Sequence, residues 1–200
     1  MAQLEVFADI TCPFTHVGLR RVVAAVAGRP IEIVVRAWPL EWVNGEPLDA
    51  AAVEMKAGVL RDQLGVDAFT GLRADCWPAT TIPALNLAAS ADAAGHDIGL
   101  RVNLALRYAL FEEGCDPCDP AILARLAADF DLPAPGIEPC TAVEADFAEG
   151  KRRGVRGSPD FWVGSDEFFC PALRIGHDDA GLTAEFDAEG FDAFLHRITA

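Results

Sequence analysis

No stretch of this 200-residue chain approaches the roughly 20 consecutive apolar residues needed to cross a bilayer. Its start carries no leader pattern. Met1-Ala2-Gln3 runs directly into Leu4-Glu5-Val6-Phe7-Ala8-Asp9, without a basic segment or an apolar run of the required length. Positive charge is scarce: 16 Lys and Arg stand against 31 Asp and Glu, a formal net charge of -15. Such a surface repels nucleic-acid phosphates and anionic membranes, which sets both aside as expected partners. The chain has no internal repeat, no low-complexity linker and no Gly-rich phosphate loop. The expectation is a cytoplasmic globular protein. Its six cysteines (Cys12, Cys76, Cys115, Cys118, Cys140, Cys170) should stay mostly reduced there, as core residues, a nucleophile or metal ligands.

What is present supports a substantial core. Residues are 52% hydrophobic and 24% charged, and the length suits one domain or one domain with an insertion. Residues 4–9 read as a short buried strand. From Thr15 to Ala27, Leu19, Val22, Val23 and Val26 recur at helical spacing, and Gly28 ends that helix. Ile31 to Trp38 is β-branched and reads as a second strand, closed by Pro39. This unit fits a βαβ crossover with a parallel strand pair. Residues 49–150 then read as helices without a convincing strand. Helices are expected over 49–64, 86–94, 97–113, from Asp119-Pro120 to about Phe130, and over 138–153. Leu100, Leu104, Tyr108 and Phe111 mark the inward face of the strongest one, and Trp77-Pro78 and Ile82-Pro83 read as breaks. Strand character returns at Asp160–Val163 and Glu167–Phe169, around the turn Gly164-Ser165-Asp166. A last helix is expected near Gly190–Ile198. Helices set between two parts of one mixed sheet predict an α/β domain with an inserted helical block.

The chemistry centres on Asp9-Ile10-Thr11-Cys12-Pro13-Phe14-Thr15-His16, where the first strand meets the first helix. The first turn of a helix has free N–H groups and a positive dipole end, and both stabilise a thiolate. A free cysteine titrates near about 8.5, and such sites lower this to about 3.5–7.5. Pro13 suits the first helical position. Thr15 occupies the place where a dithiol motif carries its resolving thiol. Its hydroxyl cannot attack a mixed disulfide, but it can donate a hydrogen bond to the Cys12 sulfur. The plain alternative is a small buried Cys12 with Thr15 as a helix cap. On this stretch alone the two readings stand level.

A second motif tips the balance. Gly154-Val155-Arg156-Gly157-Ser158-Pro159-Asp160-Phe161 runs into the third strand, and a Ser-Pro bond there can be cis. Together the two motifs resemble those of the DsbA-like branch of the thioredoxin superfamily, near its FrnE-like and 2-hydroxychromene-2-carboxylate isomerase groups. The helical block also falls where that family inserts its helical domain. The resemblance implies a thioredoxin-like fold with an inserted α-helical domain: residues 1–48 and 151–200 form the discontinuous thioredoxin-like part, and 49–150 the insert. It implies Cys12 as the attacking thiol and Pro159 as the cis-proline facing it. Ser158 would offer backbone hydrogen bonds to a bound peptide or glutathione. Phe14 and Thr15 fall in the dipeptide and resolving positions. Isomerase relatives usually carry Ser where Cys12 stands, so the chain lies between the two patterns.

Other residues have weaker claims. His16 lies four residues after Cys12, where its cation could help hold a thiolate, although a solvent-facing histidine is an equal reading. Trp77 is expected near the mouth of the site, while Trp38, Trp42, Phe161 and Trp162 read as core. Cys115-Asp116-Pro117-Cys118 reads as a loop pair without metal, with a labile disulfide as the minor alternative. Cys170 is a packed cysteine or, less simply, a surrogate resolving thiol. Glu112-Glu113 and Asp178-Asp179 read as solvated surface.

The leading expectation is a thiol–disulfide oxidoreductase working by a monothiol route. Cys12 would attack, and Pro13, Phe14, His16, Ser158 and Trp77 would surround the substrate. No metal and no tightly bound cofactor are expected; glutathione or another low-molecular-weight thiol would complete the reaction. Partners would be protein or small-molecule thiols and disulfides, with the protein a monomer or homodimer. One alternative is a thiol-dependent isomerase or transferase acting on a hydrophobic small molecule. Another is a thioredoxin-fold binding module without catalysis.

Overall fold

The computed structural model describes residues 2–179 and 181–199. Strand β1 (Ala2–Ala8) alternates its side chains: Leu4, Val6 and Ala8 face one core and Phe7 another. β2 (Ile31–Ala37) lies parallel to it, from Ala2↔Ile31 to Ala8↔Ala37. The connecting helix α1 (Pro13–Val26) buries Leu19, Val22 and Val26 on the sheet. β3 (Asp160–Val163) pairs antiparallel with the free edge of β1, and β4 (Asp166–Phe169) with β3, giving the order β2-β1-β3-β4. Gly164 takes φ 62° in the tight turn between them, which a glycine adopts without strain. β5 (Leu173–Asp178) and β6 (Gly181–Phe186) form a separate hairpin, and α8 (Ala188–Thr199) closes the fold with Phe191, Phe194 and Ile198 buried.

Between β2 and β3 lie α2 (Leu40–Asn44), α3 (Ala50–Leu64), α4 (Ile82–Ala94), α5 (His96–Phe111), α6 (Pro120–Asp129) and α7 (Thr141–Arg153). Caps explain several starts. Asp49 accepts from the Ala52 amide, and Asp119 from the Ala121 and Ile122 amides. Val53, Ala57 and Leu60 of α3 and Leu110 and Phe111 of α5 share one apolar core with the sheet. α4, α5, α6 and α7 enclose a second, which Ile10 enters from the loop after β1.

The structure departs from the sequence pattern in four places. The β5–β6 hairpin was not expected, because Gly176 and the polar His177-Asp178 interrupt any strand-like run. The short helix α2 follows Pro39, where only a strand end was expected. α4 begins at Ile82 rather than 86: Ile82-Pro83 is not a break but a helix start, with proline in the first turn where no N–H is needed. On α5 the inward face carries Val102, Asn103, Leu106, Arg107 and Leu110, whereas Tyr108 is 54% exposed. Of the expected stripe, Phe111 is buried and Leu100 and Leu104 pack against the first core; only Tyr108 turns out, and the polar pair Asn103 and Arg107 sits on the buried side.

α7 lies close against the sheet. A Cβ on Gly150 would come within 2.5 Å of the Trp38 ring and 3.1 Å of Phe7. Arg36 on β2 donates to Glu5 and Asp146, and Arg153 donates to Glu5, so ion pairs hold the helix in this position. The Gly150→Ala variant is expected to lose about 1–3 kcal/mol through overpacking. Denaturant unfolding checks this as a lower midpoint at an unchanged slope.

Candidate functional site

β1 ends at Ala8, and the chain turns through Asp9-Ile10-Thr11 before α1 begins. Cys12 is the residue capping α1, in extended conformation, with Pro13 in the first turn. Its thiol is 2% exposed. The Cys12 Sγ donates to the Ser158 carbonyl oxygen at 2.9 Å, joining two segments 146 residues apart. The Ser158–Pro159 peptide bond is cis. The Asp9 amide donates to Ser158 Oγ at 3.0 Å, and the Thr15 hydroxyl pairs with the same oxygen at 2.7 Å. The structure therefore brings Cys12, Thr15, Ser158 and Pro159 together. It corrects the expected role of Thr15: its hydroxyl bonds Ser158 and not the Cys12 sulfur. Phe14 is half-buried and lines, with Ser158, Phe169, Cys170 and Leu173, a cavity of about 330 Å³ beside the motif.

Two residues that pattern reading passed over hold this loop. The Asp9 carboxylate is fully buried. It accepts from the Thr11 amide (2.7 Å) and hydroxyl (2.6 Å), the Leu40 amide (2.8 Å) and the Thr81 hydroxyl (3.2 Å). Arg107 is also fully buried. Its Nη1 donates to the carbonyls of Asp9 (2.6 Å) and Ile10 (3.2 Å), and its Nη2 to Asn103 Oδ1 (3.3 Å). Burial lowers the guanidinium to about 10, opposed by the charges of Cys12 and Asp9. Arg107 thus places a cation within electrostatic reach of Cys12. The available signal was Asn103 and Arg107 one helical turn apart among Val102, Leu106 and Leu110.

His16 is neither solvent-facing nor a cation beside the thiol. It is 2% exposed, and its Nε2 bonds Glu112 Oε1 at 2.7 Å. Burial lowers the imidazole to about 4, outweighing the Glu112 carboxylate that would raise it. Glu112 is likewise not solvated surface. Its carboxylate also accepts from the Phe69 and Thr70 amides and the Thr70 hydroxyl. Burial pushes it up, but the bonds from His16, Thr70 and Phe69 win and hold it below the ordinary value. The pair fastens α1 to the end of α5. Trp77 is not among the residues around Cys12. Its indole donates to the Leu48 carbonyl (2.8 Å) and lines a different cavity, with Cys76 and Cys115. All six cysteines are free thiols. No helix among the described residues is long and apolar enough to cross a membrane.

Two predictions follow from these contacts. Arg107→Met, which removes the cation and its hydrogen bonds to two loop carbonyls, should slow iodoacetamide alkylation of Cys12 at pH 7 by about tenfold or more. Arg107→Lys should retain more of the rate than the methionine variant. The second concerns acid. A histidine whose folded value is depressed from 6.5 to about 4 favours folding above 6.5, and that contribution is lost as pH falls from about 6.5 toward 4. The lowered Glu112 acts in the same direction at the acid end. The urea midpoint should therefore fall between pH 7 and 5, and less steeply in His16→Gln.

No protein-family model matches the chain, and no curated protein does. Solved structures match its fold. The cytosolic disulfide reductase DsbM from Pseudomonas aeruginosa, in a structure with GSH, superposes with a TM-score of 0.62 at 17% identity, over 97% of each chain. A second DsbM structure gives 0.60 at 16% identity. A 2-hydroxychromene-2-carboxylate isomerase gives 0.59 at 14% identity, over 84% of this chain and 88% of its own. This chain therefore has the thioredoxin-like fold that DsbM and that isomerase share.

Proposed function

We propose that the protein is a thiol–disulfide oxidoreductase of the DsbA-like type with a monothiol motif. One observation carries this reading: Cys12 caps a helix N-terminus with its sulfur on the Ser158 carbonyl, beside the cis Pro159. The first turn of α1 and the Arg107 guanidinium both set positive charge near that sulfur. The Cys12 sulfur attacks one sulfur of a substrate disulfide R–S–S–R′. The mixed disulfide Cys12–S–S–R forms, the S–S bond of the substrate breaks, and R′–S⁻ leaves and takes up a proton. Thr15 cannot complete the cycle, because a hydroxyl is no disulfide nucleophile and this one is held by Ser158. A thiol from outside the motif must do so. Glutathione or another low-molecular-weight thiol fits that role, as the GSH in the DsbM structure suggests. Phe14 and Pro13 offer apolar contact, and the Ser158 backbone offers polar contact to the bound partner. Substrates are protein or small-molecule disulfides, and the cytoplasm, where DsbM works, is the proposed location.

A second reading has its own support. The cavity beside Ser158 is walled by Phe14, Phe169, Leu173 and Ile175, which suits a hydrophobic small molecule turned over with a thiol cofactor, as in the isomerase of similar fold. Cys12→Ala separates the two. The oxidoreductase reading expects loss of exchange with a small disulfide, and unchanged turnover would overturn it.

A further inference from the structure

Thr15 leaves the motif without a second thiol, but another thiol stands across the cis peptide. The Cys12 sulfur donates to the Ser158 carbonyl at 2.9 Å. The Cys170 amide donates to the Pro159 carbonyl at 3.2 Å. The two cysteines therefore both contact one Ser158–Pro159 unit, Cys12 from the start of α1 and Cys170 from the residue after β4. Both are buried, at 2% and 8% exposure. They lie within electrostatic reach of each other, since the Cys12 charge acts on the Cys170 thiol. Cys170 lines a cavity that also holds Phe14, two residues after Cys12, and Ser158, whose carbonyl receives the Cys12 sulfur. Its backbone is at φ 49°, a left-handed conformation that costs any side chain but favours glycine.

We propose that Cys170 is the resolving thiol for mixed disulfides formed on Cys12. The inference rests on the thiol-exchange reading above. In Cys12–S–S–R, the Cys170 sulfur attacks Cys12 Sγ, the bond to R breaks, and a Cys12–Cys170 disulfide forms. The Cys170 proton ends on the departing thiolate, which leaves as R–SH. No other oxidant is consumed, because the substrate disulfide supplies both oxidising equivalents and leaves as two thiols. Two molecules of a low-molecular-weight thiol then reduce the Cys12–Cys170 bond and become joined to each other.

The burial of Cys170 suits this order of events. Burial pushes its thiol up to about 12, and the charges of Cys12 and Asp160 add to this. A thiol so protonated is slow toward disulfides in solution. Once the adduct is on Cys12, proximity offsets the small thiolate fraction, since well-oriented intramolecular reactions reach effective concentrations of about 10⁵–10⁸ M. A thiolate of high basicity is also intrinsically the stronger nucleophile.

The experiment compares the reduced wild-type chain with Cys170→Ser and Cys170→Gly after brief exposure to cystamine. Intact mass and peptide mapping give the readout. The glycine variant relaxes the left-handed residue and covers the case where the serine variant folds poorly. The expected result is a Cys12–Cys170 disulfide in the wild type, with at least about tenfold more cysteamine adduct on Cys12 in the variants. If the wild type keeps the adduct on Cys12 as the variants do, or pairs Cys12 with a different cysteine, the resolving role of Cys170 is overturned while thiol exchange at Cys12 stands. If Cys12 takes no adduct and forms no disulfide in any of the three proteins, the exchange reading falls, and this inference with it.

Discussion

A charged guanidinium with no exposed surface has to be met by acceptors, and Arg107 finds them in the backbone of the loop before Cys12. The carbonyls of Asp9 and Ile10 lie past the end of β1, and the Asp9 carbonyl takes only a long bond from the Cys12 amide, at 3.4 Å, besides that of Arg107. Buried carbonyls without partners are costly, and a buried cation without partners is costlier. Each need answers the other. The Asp9 carboxylate holds the same loop from a different side, through Thr11, Leu40 and Thr81. Between them the loop has little freedom, and the position of Cys12 follows from it.

Ser158 is the counterpart on the far side of the sulfur. Its carbonyl receives Cys12, and its hydroxyl takes the Asp9 amide and meets Thr15. One residue thus touches the loop, the thiol and the first turn of α1. The helical block contributes more than bulk. It supplies Arg107 from α5, Thr81 from the start of α4, and the Glu112 carboxylate that anchors His16. The Cys12 sulfur belongs to the sheet-and-helix frame, and much of what fixes it comes from the helices between β2 and β3.

Much of the frame was legible along the chain. The βαβ start, the hairpin around Gly164-Ser165 and the Asp49 and Asp119 caps rest on local rules: alternation, turn residues and side-chain oxygens at helix starts. The α5 face was legible in part: Leu100, Leu104 and Phe111 do pack on the core. Periodicity treats an arginine as a solvent residue, and Tyr108 as an apolar one. Here the arginine is buried where it meets loop carbonyls some 97 positions away, and the tyrosine is out. His16 and Glu112 escape the same reading, because each meets its polar partner 96 positions away.

By itself, then, the sequence determined the βαβ start, the β3–β4 hairpin, most of the helices and the place of Cys12 at a helix start, since those depend on neighbours a few positions apart; α2 and the β5–β6 pair lay beyond it. Tertiary structure alone decided where the charges and hydroxyls went. Thr15 turned to Ser158, His16 to Glu112, Arg107 to the loop, and the Cys170 amide came to the Pro159 carbonyl. Polar groups in a core settle where their partners are, and those partners were brought in by parts of the chain that no local pattern connects.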